Sequence, residues 1–160
     1  MQYVARYGSP LGPMTIACNE TALVGVWFDG AAHFGSTLCE PRTDPHPLHD
    51  AAARWLDAYF AGQPLPELPP IQLYGTAFQQ RVWAQLQTIP YGKTCTYGDL
   101  ARALGSAPRA VGGAVGRNPI SLLIPCHRVV GAGERLTGYA GGVARKEWLL
   151  AREKENPFSE

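Results

Sequence analysis

Apolar and polar residues change their spacing twice along the chain. Up to residue 28 the apolar positions fall in short runs, YVARYG, PMTIAC and ALVGVWF, separated by SPLG and NE. Each run is rich in β-branched or aromatic residues, so the pattern predicts three strands in an antiparallel meander. Further on, in LHDAAARWLDAYFAG, Ala52, Trp55, Leu56, Tyr59 and Phe60 recur at helical spacing and Gly62 can stop the helix. The first part therefore reads as a small α/β unit. QPLPELPP then interrupts every periodicity and reads as a connector, dividing the chain into residues 1–70 and 71–160.

Beyond the connector the pattern is mainly helical, and its punctuation is clear. TAFQQRVWAQLQTIP opens on a capping box of Thr76 and Gln79, buries Val82, Trp83, Leu86 and Ile89, and ends at Pro90. TYGDLARALG starts at a Thr96 cap with Asp99 three residues on and stops at Gly105. PRAVGGAVGRN follows, with Pro108 in its first turn and its end at Asn118, before Pro119. Two helices joined by so short a break have the spacing of a helix-turn-helix.

The second of these helices is unusual. Gly112, Gly113 and Gly116 each cost on the order of 1 kcal/mol relative to alanine, so a close approach must offset them. Tight packing against another helix would serve; so would contact with a ligand. Readers of the major groove carry Asn, Gln, Arg or Lys toward base edges, and Ala110, Val111, Gly112, Gly113, Ala114 and Val115 offer none. A slim, smooth helix flanked by Arg109 and Arg117 suits the minor groove of double-stranded DNA, bound with little sequence preference.

Charge sharpens this picture. The formal net charge is only +1, but residues 1–70 hold three Lys/Arg against seven Asp/Glu, and residues 71–160 hold eleven against six. The basic part is the one with the helix-turn-helix, as a polyanion surface requires. With 160 residues, 46% of them apolar, the chain can build a real core as one domain or two small ones. No charged stretch leads into an apolar signal core, and no apolar run is long enough to cross a bilayer, so a cytoplasmic address is expected; the chain is also expected to be a monomer. Cys18, Cys39, Cys95 and Cys126 are far apart and form no C-x-x-C pair, which suggests free thiols. His33, His46 and His49 are spaced irregularly for zinc, and neither a metal nor a cofactor is expected.

Cys126 stands between a proline and a histidine in NPISLLIPCHRVVG. The bland reading makes it a small hydrophobe at the end of a core strand. The functional reading makes it a nucleophile, its thiolate favoured by His127 and Arg128 beside it. If the segment is extended, His127 points away from the sulfur and needs a water to reach it. Glu147, in ARKEWLL on the last helix, is a candidate to orient the histidine; otherwise it is a solvated glutamate paired with a nearby cation.

IPCHRVVG resembles the active-site motif of the methylated-DNA–protein-cysteine methyltransferases, the O6-alkylguanine DNA alkyltransferases. The likeness extends over most of residues 76 to 152 and includes FQQRVW, IPYGKTCTYGDLA, RAVGGAVGRNPI, LTGYAGG and RKEWLL. The first 70 residues are alike only in length and pattern. The resemblance implies an α/β (α+β) fold in which a ribonuclease H-like sheet-and-helix domain precedes the helix-turn-helix domain. It makes Cys126 the alkyl acceptor, His127 with a water its base, Glu147 the orienting carboxylate and Asn118 the brace of the active-site turn. Tyr97 resembles the residue that helps protonate the guanine leaving group, and Arg109 the finger that fills the space of the extruded nucleotide. Val129, Tyr139, Ala140 and Gly141 resemble walls of the base pocket, and Arg109, Ala110, Gly113, Ala114, Arg117 and Arg128 are expected to touch the duplex. At Ala140 some relatives have serine, which leaves only a backbone N–H for the substituted oxygen. The zinc ligands of some relatives' first domain do not map onto this sequence, nor does the cysteine cluster with which certain bacterial relatives repair phosphotriesters.

A soft thiolate attacking an alkyl carbon in line would leave a thioether on Cys126, which neither water nor a resolving thiol reverses, so one molecule should repair one lesion. Two other classes stay open on the residues alone: a helix-turn-helix regulator with a merely buried cysteine, and a thiol hydrolase that turns over.

Overall fold

The structure, a computed structural model, describes residues 1–136 and 138–156. Thr137, within LTGYAGG, and positions 157–160, within the expected second domain, lie outside them. Among the described residues no helix is long and apolar enough to cross a membrane. The chain divides into two compact units, Met1–Tyr74 with Pro119–Leu123, and Gly75–Asn118 with the chain from Ile124 on. The return of Pro119–Leu123 to the first unit is a feature that the expected boundary at residue 70 does not contain.

In the first unit β1 (Tyr3–Ser9), β2 (Gly12–Cys18) and β3 (Leu23–Phe28) form an antiparallel sheet in the order β1-β2-β3. The first turn closes because Gly12 takes φ 115° and the Ser9 hydroxyl donates to its carbonyl at 2.6 Å. At the second, the Asn19 side chain accepts from the backbone of Thr21 and Ala22. The helix α1 (Pro47–Ala61) packs against β1 and β2 and buries the five residues that the periodicity selects. Gly62 ends it in the left-handed conformation. Two of the histidines have structural work: His46 caps α1 by accepting from the Leu48 N–H, and His49 bonds the Tyr3 carbonyl.

The open edge of β3 explains why a distant segment comes back. Leu23 N donates to Pro70 O and accepts Gln72 N on its carbonyl, while Val26 N donates to Pro119 O and its carbonyl accepts Ser121 N, all within 2.8–2.9 Å. Ile120 is buried in the process. An edge strand with six buried residues is a template for unwanted pairing, and these bonds cover it.

The second unit contains α2 (Ala77–Leu86), β4 (Cys95–Thr96), α3 (Tyr97–Leu104), α4 (Pro108–Gly116), β5 (Val129–Val130) and α5 (Val143–Glu155). Both expected capping boxes form, Thr76 with Gln79 and Thr96 with Asp99, and Gly105 closes α3 at φ 64°. The helices α2, α3 and α4 pack together, and the buried Trp83 indole donates to the Ala114 carbonyl at 2.8 Å. The parallel pair of β4 and β5, two residues each, has no periodicity that a sequence reading could detect.

Candidate active site

Cys126 does not end a strand. It opens a 3-10 turn, Cys126–Arg128, that leads into β5, and all three residues are buried. Asn118, which follows the last turn of α4, reaches across with its amide to the Ile124 carbonyl at 2.9 Å, and it also hydrogen-bonds the Cys126 sulfur. The turn therefore hangs on one side chain that fixes both the backbone before the cysteine and the thiol itself.

Burial pushes the Cys126 thiol above its usual range, and the bond from Asn118, the Lys146 charge and the backbone N–H groups of Cys126 and His127 oppose it without prevailing. The resting group is thus a protonated thiol that needs a base. His127 is fully buried beside it, and its Nε2 lies 2.6 Å from Glu153 Oε2. Burial lowers the imidazole below its ordinary value despite the pull of that carboxylate, so the ring rests neutral. A carboxylate can only accept, so Nε2 carries the hydrogen and Nδ1 is the basic nitrogen.

The carboxylate that orients the histidine is Glu153 and not Glu147. Along α5 the buried positions are Lys146, Leu149 and Glu153, one face at i, i+3 and i+7, whereas Glu147 is rotated about 100° off that face and exposed. Burial would raise Glu153, but its bond to His127 and its pairing with Arg128 hold it well below the ordinary carboxylate range. Its Oε1 also accepts from Gly92 N at 3.1 Å and from Arg128 Nε at 2.8 Å.

Arg128 is likewise not on a DNA-facing surface. Buried, it clamps both Glu153 oxygens, donates to the Ile89 carbonyl at 2.8 Å and stacks its guanidinium over Tyr91. It serves as the counter-charge of Glu153. A residue that sequence reasoning missed is Lys146, fully buried, whose ammonium donates to the Val129 carbonyl and lies 5.9 Å from the Tyr97 ring centroid. Burial lowers this lysine, opposed by the Cys126 sulfur. The signal available was the i, i+3, i+7 stripe, in which two charged residues occupy core positions.

Tyr97 opens α3, half-buried, its phenol raised by burial and then by the Cys126 sulfur. With Pro108, Arg109, Gly112 and Gly138 it lines a cavity of about 400 Å³. Gly138 takes φ +65°, a conformation that favours glycine, and an added Cβ would stand in contact with the Tyr97 hydroxyl at 3.4 Å. The next residues differ in depth: Tyr139 and Gly141 are buried and Ala140 half-buried, as Val129 is buried on β5.

On α4 the exposed residues are Pro108, Arg109, Ala110 and Gly113, with Arg117 just after. Ala114 is buried, its carbonyl holding Trp83, so it cannot meet the duplex as expected. Internal packing does not account for the glycines. A Cβ on Gly113 or Gly116 would meet nothing within 4 Å, and one on Gly112 would only touch the Tyr97 ring at 3.8 Å. Among the described residues no group of three or more His, Cys, Asp or Glu could hold a metal.

Two family models match the chain: the ribonuclease-like domain of 6-O-methylguanine DNA methyltransferase over residues 3–69, and the DNA binding domain of the same protein over residues 77–155. A methylated-DNA–protein-cysteine methyltransferase of Mycobacterium bovis is 42% identical over 156 residues, 91% of this chain and 88% of the relative. One from Methanosarcina acetivorans is 42% identical over 154 residues, 94% and 97% of the two chains. In structure, the chain matches Mycobacterium tuberculosis OGT in complex with DNA at a TM-score of 0.88 and 42% identity, over 96% of this chain and 94% of the other.

Proposed function

The chain belongs to the 6-O-methylguanine DNA methyltransferase family, and from that premise we propose that it repairs O6-alkylguanine in duplex DNA by moving the alkyl group onto Cys126, irreversibly and once per molecule. The observation that carries this reading is the buried set of Cys126, His127 and Glu153 in the same unit as a helix-turn-helix whose second helix, beyond Arg109 in its first turn, has no base-reading side chain.

The helix α4 enters the minor groove by its Arg109, Ala110 and Gly113 face, Arg117 holds a phosphate, and the damaged nucleotide turns out of the stack with Arg109 in its place. Extrusion costs roughly a few kcal/mol, less for a mispaired lesion. The base enters beside Tyr97, against Val129, Tyr139, Ala140 and Gly141. His127 Nδ1 takes the Cys126 proton through a water, and the imidazolium is balanced by Glu153. The thiolate attacks the alkyl carbon, the S–C bond forms as the C–O6 bond breaks, and guanine leaves with a proton supplied by Tyr97. Asn118 keeps the sulfur aligned throughout. A protonated resting thiol protects the nucleophile until a lesion arrives, and the protein acts as a monomer in the cytoplasm, where thiols stay reduced.

The test is a duplex with one O6-methylguanine radiolabelled in the methyl group. The label moves to Cys126 in at most one equivalent. Multiple turnovers, or label released as a small molecule, would refute the reading.

A further inference from the structure

We propose that the buried hydroxyl of Tyr139 selects among lesions, favouring an O6 substituent that carries a hydrogen-bond acceptor beyond the transferred carbon over an apolar one of the same size. This rests on the reading that Cys126 receives the O6 substituent.

Tyr139 is only 9% exposed, and among the described residues no donor or acceptor reaches its fully buried Oη. A phenol so placed normally finds a partner. Its place in the fold is fixed: its own carbonyl accepts from Gly142 N at 3.0 Å, and the preceding Gly138 lies against the Tyr97 hydroxyl at the cavity wall. Besides burial, the sulfur of Cys126 acts on this hydroxyl most strongly, ahead of Arg145 and Glu153. Because Tyr139 follows directly on Gly138 of the cavity wall, we take its unsatisfied donor to face the substituent on the reacting carbon. Its neighbour Ala140 brings no hydroxyl, so within Tyr139, Ala140 and Gly141 the phenol is the single side-chain donor.

The chemistry then discriminates. A propyl group seated there leaves the buried Oη without a partner. A 2-hydroxyethyl group has the same number of heavy atoms and puts an oxygen where propyl has a methyl, so it restores the bond. One neutral hydrogen bond gained in place of a buried orphan corresponds to about a three- to tenfold preference. Tyr139 keeps its proton and takes no part in bond exchange: the S–C bond forms, the C–O6 bond breaks, and the distal oxygen travels unchanged with the transferred group.

The measurement is the single-turnover rate at saturating duplex for O6-methyl-, O6-(2-hydroxyethyl)- and O6-propylguanine, with the wild-type protein and with Tyr139→Phe. Each rate is divided by that of a small thiolate with the corresponding nucleoside, which removes intrinsic reactivity. The wild-type hydroxyethyl-to-propyl ratio is expected at about three to ten, falling to about one in Tyr139→Phe. A wild-type ratio of one or less overturns the proposal, and so does a folded Tyr139→Phe that keeps the wild-type ratio. If near-ultraviolet circular dichroism shows that the variant does not fold, the wild-type ratio alone decides. Absence of methyl transfer to Cys126 in the wild type would instead overturn the alkyl-transfer reading itself, an outcome distinct from a lost preference.

Discussion

Replacing Glu153 by glutamine removes a charge that four hydrogen bonds converge on, from His127 Nε2, Arg128 Nε and Nη2, and Gly92 N. The amide has the same shape but turns one acceptor oxygen into a donor, so either His127 with one Arg128 nitrogen, or Gly92 with the other, faces an N–H group. The Arg128 guanidinium stays buried without its counter-charge. Breaking a buried pair from one side costs about 3–5 kcal/mol, a large share of the roughly 5–15 kcal/mol that holds a domain folded. Transfer suffers separately, because the tautomer and orientation of His127 are no longer imposed; loss of an oriented general base slows a reaction on the order of a hundredfold or more. The two effects are separated by a urea melt of Glu153→Gln and by single-turnover transfer from O6-methylguanine duplex at a temperature where the variant is folded. Glu147→Gln is the control, with a stability change within about 0.5 kcal/mol and an unchanged rate. A folded Glu153→Gln that transfers as fast as the wild type, or a Glu147→Gln that does not, would refute the assignment.

Other outcomes follow from the same geometry. Cys126→Ala is expected to bind duplex DNA as tightly as the wild type and to transfer nothing, by gel shift and label transfer; a folded variant that still transfers moves the nucleophile elsewhere. Gly113→Ala, whose added Cβ meets nothing within 4 Å, is expected to raise stability by about 0.5–1 kcal/mol while weakening DNA binding severalfold, because the methyl group stands on the exposed face of α4. Stability against urea is expected to fall as pH drops: His127 is held below its ordinary 6.5 in the folded state, so the unfolded chain binds the proton first and loss begins below about pH 6.5. Glu153, also depressed, adds a further loss below about pH 4.5, and a profile flat from pH 7 to 4 would contradict both shifts. Arg109→Ala is expected to slow repair of duplex about a hundredfold at saturation while a free base such as O6-benzylguanine, if it reacts, keeps nearly its original rate; equal losses would mean that Arg109 supports the fold.

Periodicity and punctuation carried the elements well because the forces that set them are local. The capping boxes at Thr76 and Thr96, the glycine stops at Gly62 and Gly105, and the buried stripe of α1 each involve residues within one or two turns. Long-range pairing left no such trace. Pro119–Leu123 returns to the edge of β3 through backbone groups alone, which every residue possesses, and the parallel pair at Cys95 and Val129 is too short to have a period. Within the site, the nucleophile and its neighbours were legible because they are contiguous in PCHRV, whereas the third member lies 26 residues on.

The misassigned residues share one physical cause. From the sequence, Glu147 is read as the partner of the histidine because it is a carboxylate, Arg128 as a DNA contact because it is charged and Ala114 as part of a smooth helix surface because it is small, and each is decided instead by which face of its element is buried. In α5 the face that contains Leu149 also contains Lys146 and Glu153, so the stripe is visible only if charge is ignored and position alone is followed. Both charges are tolerated there because they are met: Lys146 by the Val129 carbonyl and Glu153 by Arg128, His127 and Gly92. A helix that buries ions costs stability unless something uses them, and the use is the same in both cases, since each acts on the residue pair that opens the turn at Cys126. The charged residues that matter most for the chemistry are those that the fold keeps farthest from solvent.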